Sequence, residues 1–551
     1  MASTPLALAP DGTGFALGHD GPMLAGARAP GEGDAILGPS GNGTPWVALL
    51  AGEELENPPA GASLYVVDPR AVPASELRAS LARLRARIPD AMIAAELQHD
   101  DALRPSPVDA GVVRVSPDAE STARATLAAG IQAAGRPVLA LVDSDVPADS
   151  VTAAIDAGAA GAVFATDRGE KDAAAIAAVR AAERERLADA PLITVAICNR
   201  NGARDLGRCL ASLDRVTYPN FETLVIDDGS TDDSVAVARR FGARVVELPP
   251  SGLGVARNAA IDAARGEVLA FLDGDAEAEP PWLTRLWRLH DRLRPGGVGG
   301  PNLGMQDANW QERAVGGAPG VAMPIVRADG TATHLAGCNM SFRTDVARAA
   351  LFDPDAPSGD DIRFCYRVQD LGEDLLLAPT AIVRHRRRRS IEGYLRQMAV
   401  YGRWSTVMQV EHGNRLVDVD VNPGLLARLD PRRPHRCFVG PQAAQRYSLA
   451  YAPLSNGFPL KAMALTVALA LALAAPARGL GRLRAWLYAC ALAAASQAGY
   501  VIARTPVQEG PGGLAGARNR LLTAALWYAG PGAVASGRLR GLRQASSPEG
   551  E

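Results

Sequence analysis

The sequence predicts an α/β protein built on a Rossmann-like mixed sheet, with a small α/β domain before it and apolar helices after it. Three observations lead there. Short apolar runs alternate with helically spaced runs from residue 63 to residue 187, and again from residue 192 onward. Several apolar runs of the second series end in acidic, Gly-containing turns. Two Ala-rich stretches after residue 460 carry no charge.

The chain has 551 residues, too many for one core, so two or three domains are expected. Its 48% hydrophobic and 21% charged residues mark it as globular. A net charge of −3 gives no electrostatic case for nucleic acid. The cysteines (Cys198, Cys209, Cys338, Cys365, Cys437 and Cys490) form no C-x-x-C pair. That pattern predicts neither a zinc ribbon nor a disulfide framework, and it fits a reducing compartment. The first residues lack the basic start and apolar run of a signal peptide.

Residues 1–60 are rich in Gly and Pro and read as loop with short strands. From Ser63 the pattern is regular. SLYVVDP (63–69), AMIAAEL (91–97), GVVRVS (111–116), PVLALVD (137–143) and GAVFATD (161–167) read as strands. ASELRASLARLRARI (74–88) and the runs near 118–134, 148–157 and 170–187 read as helices. This first domain is assigned to residues 1–190, with a parallel sheet and no assigned chemistry. Asp143 and Asp145, at a strand end, read as solvated loop acids. AAERERLADAP (181–191) is a charged helix end followed by Pro, a natural boundary.

A second domain is assigned to residues 191–415. LITVAIC (192–198) is a strand, NRNG (199–202) a turn, and ARDLGRCLASLDRV (203–216) a helix. YPNFETLVIDDGSTDDS (218–234) holds a strand ending at Asp227 and Asp228. A helix (233–242) and a strand (243–249) follow. In such βαβ units ligands sit at the carboxyl ends of the strands, where both aspartates fall. SGLGVARNAAIDAARG (251–266) is a Gly-rich turn entering a helix, with Arg257 and Asn258 in its early turns. A basic side chain at a helix entry suits a diphosphate or a ribose. The strand EVLAFL then runs into Asp273-Gly274-Asp275. Two carboxylates one residue apart repel each other unless a cation sits between them. Hard oxygen ligands select Mg²⁺ or Mn²⁺, which would bridge diphosphate oxygens.

VAICNRNGARDLGRCLASL, YPNFETLVIDDGSTDDS and GVARNAAIDAARGEVLAFLDGD together resemble family 2 glycosyltransferases of the GT-A fold. The resemblance covers well under half the chain. It implies that Asp228 holds the base of a nucleotide, uracil, so that the donor is a UDP-sugar. It also implies that Asp273 and Asp275 face the metal, with Asp275 the direct ligand. HLAGCNMSFRTDVA (334–347) resembles the family segment that shapes the sugar and acceptor pocket. SGDDIRFCYRVQDLG (358–372) resembles the family's G-E-D-x-D-L-x-x-R-L element. By that match Asp361 is the base that deprotonates the acceptor hydroxyl in a single inverting displacement. Asp360 stands where Glu is usual, on the acceptor side, and Arg363 replaces the second acid. His385 falls where related enzymes often carry a histidine near the metal or the diphosphate. Arg386 to Arg389 suit phosphates, anionic lipid headgroups or plain solvation equally. Arg403 and Trp404 are placed at the acceptor. The processive signature Q-x-x-R-W fails, because position 400 is Val. Single transfer or short extension is therefore expected.

Residues 416–459 read as a linker, and residues 460–551 as membrane-associated helices and tail. Ala462–Ala477 and Ala485–Ala503 are uncharged, the first short for a span and the second just long enough, and a membrane hairpin is expected. Buried or interfacial helices remain the alternatives. LLTAALWYAGPGAVASGRLR (521–540) resembles the tail of membrane-associated bacterial family members. The expected activity is inverting transfer from a nucleotide sugar to a hydroxyl of a glycan or lipid-linked acceptor. The expected place is the cytoplasmic face of the cell (inner) membrane, in contact with membrane lipids and serving polysaccharide or glycolipid synthesis. Two other readings compete. A sugar nucleotidyltransferase would carry a Gly-rich loop with Arg and Lys after the first strand, and NRNGARD (199–205) is not that. An inactive scaffold of the same fold would have no reason to keep Asp228, Asp273, Asp275 and Asp361.

Overall fold

The computed structural model describes residues 185–316 and 330–412 with few breaks, the regular elements between 64 and 165, short strands before and between these, and scattered positions from 518 to 540. The first body is a seven-stranded parallel sheet. Its strands are β1 (Met23–Ala27), β2 (Val47–Leu50), β3 (Leu64–Val67), β4 (Met92–Ala95), β5 (Ala110–Arg114), β6 (Val138–Val142) and β7 (Gly161–Ala165). The order is β1-β7-β6-β5-β4-β3-β2, and every pairing is parallel. β1 and β2 lie at opposite ends of that order yet also touch, so the sheet curls toward a barrel. Helices α1 (Ala74–Arg87), α2 (Ala119–Ala133) and α3 (Ala148–Asp156) connect the later strands. β1 and β2 come from the Gly/Pro-rich stretch, where four or five residues are too few to show a period. The helical run at 170–187 lies mostly outside the described residues. Asp143 is partly exposed and is also ion-paired with Arg114 from the neighbouring strand.

The second body holds a seven-stranded mixed sheet. Its elements are β8 (Ile193–Asn199), α4 (Ala203–Leu213), β9 (Phe221–Asp228), α5 (Ser234–Arg240), β10 (Arg244–Leu248), α6 (Leu253–Ala263), β11 (Val268–Leu272), β12 (Ala276–Ala278), α7 (Trp282–Leu293), β13 (Gly297–Gly299), β14 (Asn302–Gly304), α8 (Trp310–Gly316), β15 (Asn339–Arg343), α9 (Thr344–Ala350), α10 (Asp360–Asp370), β16 (Leu375–Leu377), β17 (Val383–His385) and α11 (Ile391–His412). The large sheet runs β10-β9-β8-β11-β15-β13-β16, with β15 antiparallel to both neighbours. A small sheet, β12-β17-β14, stands beside it. Alternate residues of each strand face opposite sides. Val195, Ile197, Val225, Ala270 and Leu272 enter one core, and Ala196, Leu224, Ile226, Leu269 and Phe271 the other. Burial on both faces is why these strands read as unbroken apolar runs.

The two bodies are joined by a buried charge cluster. Asp156, at the end of α3, is 3% exposed. Its carboxylate takes Arg186 at 2.8 Å and Arg292 at 3.1 Å, with Arg288 at 3.7 Å. The last two project from α7 of the second body. Nearby, Gly130 and Gly158 lie against Pro379 and Thr380. Removing a buried carboxylate strands its cations, at a cost of about 3–5 kcal/mol. Asp156→Ala is therefore expected to lower Tm by roughly 10 °C in thermal denaturation. An unchanged Tm would mean that the joint does not hold the bodies together.

Part of the tail belongs to the second body. Leu522, Leu526, Ala533 and Val534 pack on Ala314, Val315, Tyr394 and Met398. A Cβ on Gly402 would overlap the Val534 carbonyl, and one on Gly537 the Ala399 carbonyl. The 521–540 segment, assigned to a membrane-associated tail, thus packs on α8 and α11 through its apolar side chains. Among the described residues no helix is long and apolar enough to cross a membrane. The stretches 462–477 and 485–503 lie outside the described residues.

Candidate active site

Strand ends converge at one edge of the large sheet. β8 ends at Asn199, β9 at Asp227 and Asp228, and β11 runs into Asp273-Gly274-Asp275. β15 runs the other way and pairs Asn339 with Leu272, so Gly337-Cys338 comes up at the same edge. β17 pairs His385 with Ala276. The His385 Nε2 is 3.4 Å from Asp273 Oδ2 and 3.2 Å from Asp275 Oδ1. One ligand atom each from Asp273, Cys338 and His385 lies within 4.8 Å of the others. The Nδ1 of His385 is buried with no hydrogen-bond partner.

The electrostatics follow from this packing. Burial works to raise the Asp275 carboxyl, but the hydrogen bond from His385 and its charge prevail and hold it below the usual range. Burial disfavours the charged form of His385, but Cys338, Asp273 and Asp275 prevail and raise it well above the usual imidazole value. Asp273, His385 and Cys338 offer a carboxylate, an imidazole and a thiol on one small volume, with the Asp275 carboxylate against His385, and that set fits a divalent cation.

Arg257 lies behind this cluster, 4% exposed. Its Nη1 pairs with Asp360, and its Nη2 is 3.8 Å from Asp273 Oδ1. Burial opposes its charge, but Asp360, Asp273 and Asp361 raise it. Gly337 is needed here, because a Cβ would meet the guanidinium and then Asp361. Asp361 is in the first turn of α10. Its Oδ2 accepts the Gly337 N–H at 3.0 Å, and its Oδ1 the Ile362 N–H at 2.9 Å. Burial and the neighbouring Asp360 push its carboxyl up to about 6, against the opposing pull of Arg257. Successive residues therefore join two centres: Gly337 holds Asp361, and Cys338 enters the cation cluster.

Several residues have partners that the sequence does not show. Arg257 and Asp360, assigned to donor and acceptor, pair with each other in a buried contact. Asn258, also assigned to the donor, donates to the Phe352 carbonyl at 2.9 Å and accepts the Phe352 N–H at 2.7 Å. Both ends of its amide thus pin the loop before α10. Arg363 turns to Asp353 at 3.0 Å rather than to an acceptor. Asp228 Oδ1 accepts the Ser251 and Gly252 N–H groups and the Ser251 hydroxyl, which fixes the turn into α6. Arg200 approaches its Oδ2 at 3.9 Å. Asp227 accepts the Ser230 N–H through Oδ2, while its Oδ1 is buried without a partner. Of the arginine run, Arg386 binds Glu312 and Asp307, Arg387 binds Asn302, and Arg389 binds Asp205. Arg388 is exposed, and its charge helps hold Asp275 low. Arg403 sits 5.3 Å over the ring of Trp404 on α11. Cys338 was missed because its neighbours in space are far away in sequence.

Residues 194–350 match the model of Glycosyl transferase family 2. Glycosyltransferase AglE of Haloferax volcanii is 36% identical over 103 residues, covering 17% of this chain and 34% of that protein. The pre-mycofactocin glycosyltransferase of Mycobacterium tuberculosis is 26% identical over 249 residues, covering 42% of this chain and 51% of that protein. The chain thus spans between about a third and a half of the length of these relatives. A mannosyltransferase from Pyrobaculum calidifontis, solved with GDP-Man and Mn²⁺, shows 16% identity and a TM-score of 0.39, covering 64% of this chain and 88% of that one.

Proposed function

We propose, from the match of residues 194–350 to the model of Glycosyl transferase family 2, that the chain transfers a sugar from a nucleotide sugar to an acceptor hydroxyl, with inversion and with a divalent cation. The observation that carries this reading is the pairing of two centres through Gly337-Cys338. One is the cluster of Asp273, Asp275, His385 and Cys338; the other is Asp361, with its raised carboxyl. Asp273, Asp275 and His385 would hold Mg²⁺ or Mn²⁺, which when bound neutralises charge on a leaving diphosphate. Asp361 would take the proton of the attacking hydroxyl at a carboxylate oxygen. Asp227 and Asp228 end the strand beside the turn that opens α6, where a nucleoside would sit, and a UDP-sugar is the proposed donor. Arg388, exposed next to Asp275, adds positive charge on the diphosphate side.

The acceptor is proposed to be a glycan or lipid-linked hydroxyl at the cytoplasmic face of the cell membrane. The apolar stretches 462–477 and 485–503 support that placement through their composition. Domain limits of 1–190, 191–415, 416–459 and 460–551 remain the proposed division, with part of the tail folded back on the second. A panel of nucleotide sugars, each with Mn²⁺, tests the donor half by thermal shift. A true donor raises Tm because it binds only the folded state. Determining the product's anomeric configuration by NMR tests inversion. If no nucleotide sugar shifts Tm, the reading fails; if the anomeric configuration is retained, the inverting step fails.

A further inference from the structure

We propose that Cys338 is a direct ligand of the catalytic cation, through its sulfur, alongside Asp273 and His385, so that the site prefers Mn²⁺ or a later first-row ion to Mg²⁺. This rests on the reading above that the site works with a cation. Ligand atoms of the three residues lie within 4.8 Å of one another. Bonds of about 2.0 Å to nitrogen and about 2.3 Å to sulfur hold such atoms at most about 4.3 Å apart, so one ion would gather the three with a small closing of the side chains.

The thiol is held in place rather than passing through. Its neighbour Gly337 donates to Asp361. Its other neighbour, Asn339, donates to the Pro301 and Ala381 carbonyls and accepts from the Trp282 indole. Both sides of Cys338 are thus clamped, and its side chain has little room to turn away. The sulfur accepts one hydrogen bond, from Asn302 Nδ2 at 3.2 Å. That amide is itself fixed, because Asn302 Oδ1 accepts from Arg387. A fixed N–H donor beside a sulfur ligand orients it and stabilises the thiolate. The His385 Nε2 faces the Asp273 and Asp275 carboxylates at 3.4 and 3.2 Å, so the same volume gathers acid, imidazole and thiol.

The chemistry then sets the preference. An all-oxygen site suits Mg²⁺, whereas thiolate and imidazole favour softer and later ions. On ligation the S–H bond breaks, the sulfur pair goes to the ion, and the proton leaves to solvent. Of the other described cysteines, Cys209 donates to the Asp273 carbonyl and Cys365 accepts the Leu335 N–H.

Co²⁺ added to the full chain with UDP tests the proposal directly. The expected result is a sulfur-to-cobalt charge-transfer band in the near ultraviolet that is lost in Cys338→Ser. In thermal-shift titrations with UDP, Cys338→Ser should weaken Mn²⁺ by about tenfold or more and change Mg²⁺ little. Cobalt that raises Tm without giving the band would overturn the sulfur ligand while leaving the cation reading intact. If no ion raises Tm with UDP, both fail. Should Cys338→Ser melt early without ligand, the wild-type spectrum alone decides.

Discussion

Asp361→Asn is expected to abolish sugar transfer while leaving donor binding intact. The amide keeps the shape of the carboxyl, but its single oxygen can accept only one of the two N–H groups, of Gly337 and Ile362, that the carboxylate takes, so an unchanged ligand-free Tm is the control that α10 starts as before. What it cannot do is take a proton. General-base contributions run to about 10²–10⁴ in rate, and kcat should fall by that order. Thermal stabilisation by nucleotide sugar and Mn²⁺ should remain, since Asp361 lies across Gly337-Cys338 from the cation cluster. Full activity in this variant would remove Asp361 from the mechanism. The wild-type pH profile offers a second measurement. With the carboxyl pushed up to about 6, kcat/KM should decline as pH falls through that value. The stability consequence has the opposite sense. The folded state holds this proton more tightly than the unfolded chain, whose value is near 3.8. Asp361's contribution to stability is therefore lost as pH rises from about 4 to about 6. The group is costly for folding in the ionised form that a base requires, which is what a functional position looks like.

The strands and helices were legible because burial on both faces leaves an unbroken apolar run, as in VLAFL and TLVI, and because acidic turns mark the strand ends. Asp273 and Asp275 stand out as acids at a strand end, whereas His385 and Asp361 are singled out only by the family resemblance. The partners hidden from the sequence share one cause. Arg257 at a helix entry looks the same whether its guanidinium faces a phosphate or a buried carboxylate, and the residue that decides is Asp360, 103 positions away. Asn258 likewise finds its partner, Phe352, 94 positions on. Cys338 has no sequence neighbour that suggests a metal; only antiparallel pairing of β15 with β11 brings it there. The 521–540 segment shows the same limit for apolar residues, since Leu522 and Leu526 would serve equally against lipid or against α11.

Asp275→Ala is expected to remove metal-dependent donor binding altogether. Asp275 has two neighbours of opposite charge, His385 at 3.2 Å and the exposed Arg388, and its carboxylate is the more open of the DGD pair, 44% exposed against 38% for Asp273. Without it a cation loses one of the two carboxylates that compensate its charge, and the diphosphate loses its bridge. For the wild type, donor at about 100 times Kd with Mn²⁺ should add about 2.7 kcal/mol of stability; for Asp275→Ala the addition should vanish, with or without the ion. Ligand-free Tm should fall only slightly, because the lost hydrogen bond from His385 is partly offset by relieved repulsion from Asp273. A slight fall without ligand together with complete loss of the ligand-dependent shift marks a binding role. A variant that still shows the Mn²⁺-dependent shift would move the cation away from Asp275. Asp273, with His385 and Cys338, would then be the whole protein share of the coordination, which would make the sulfur ligand more necessary rather than less.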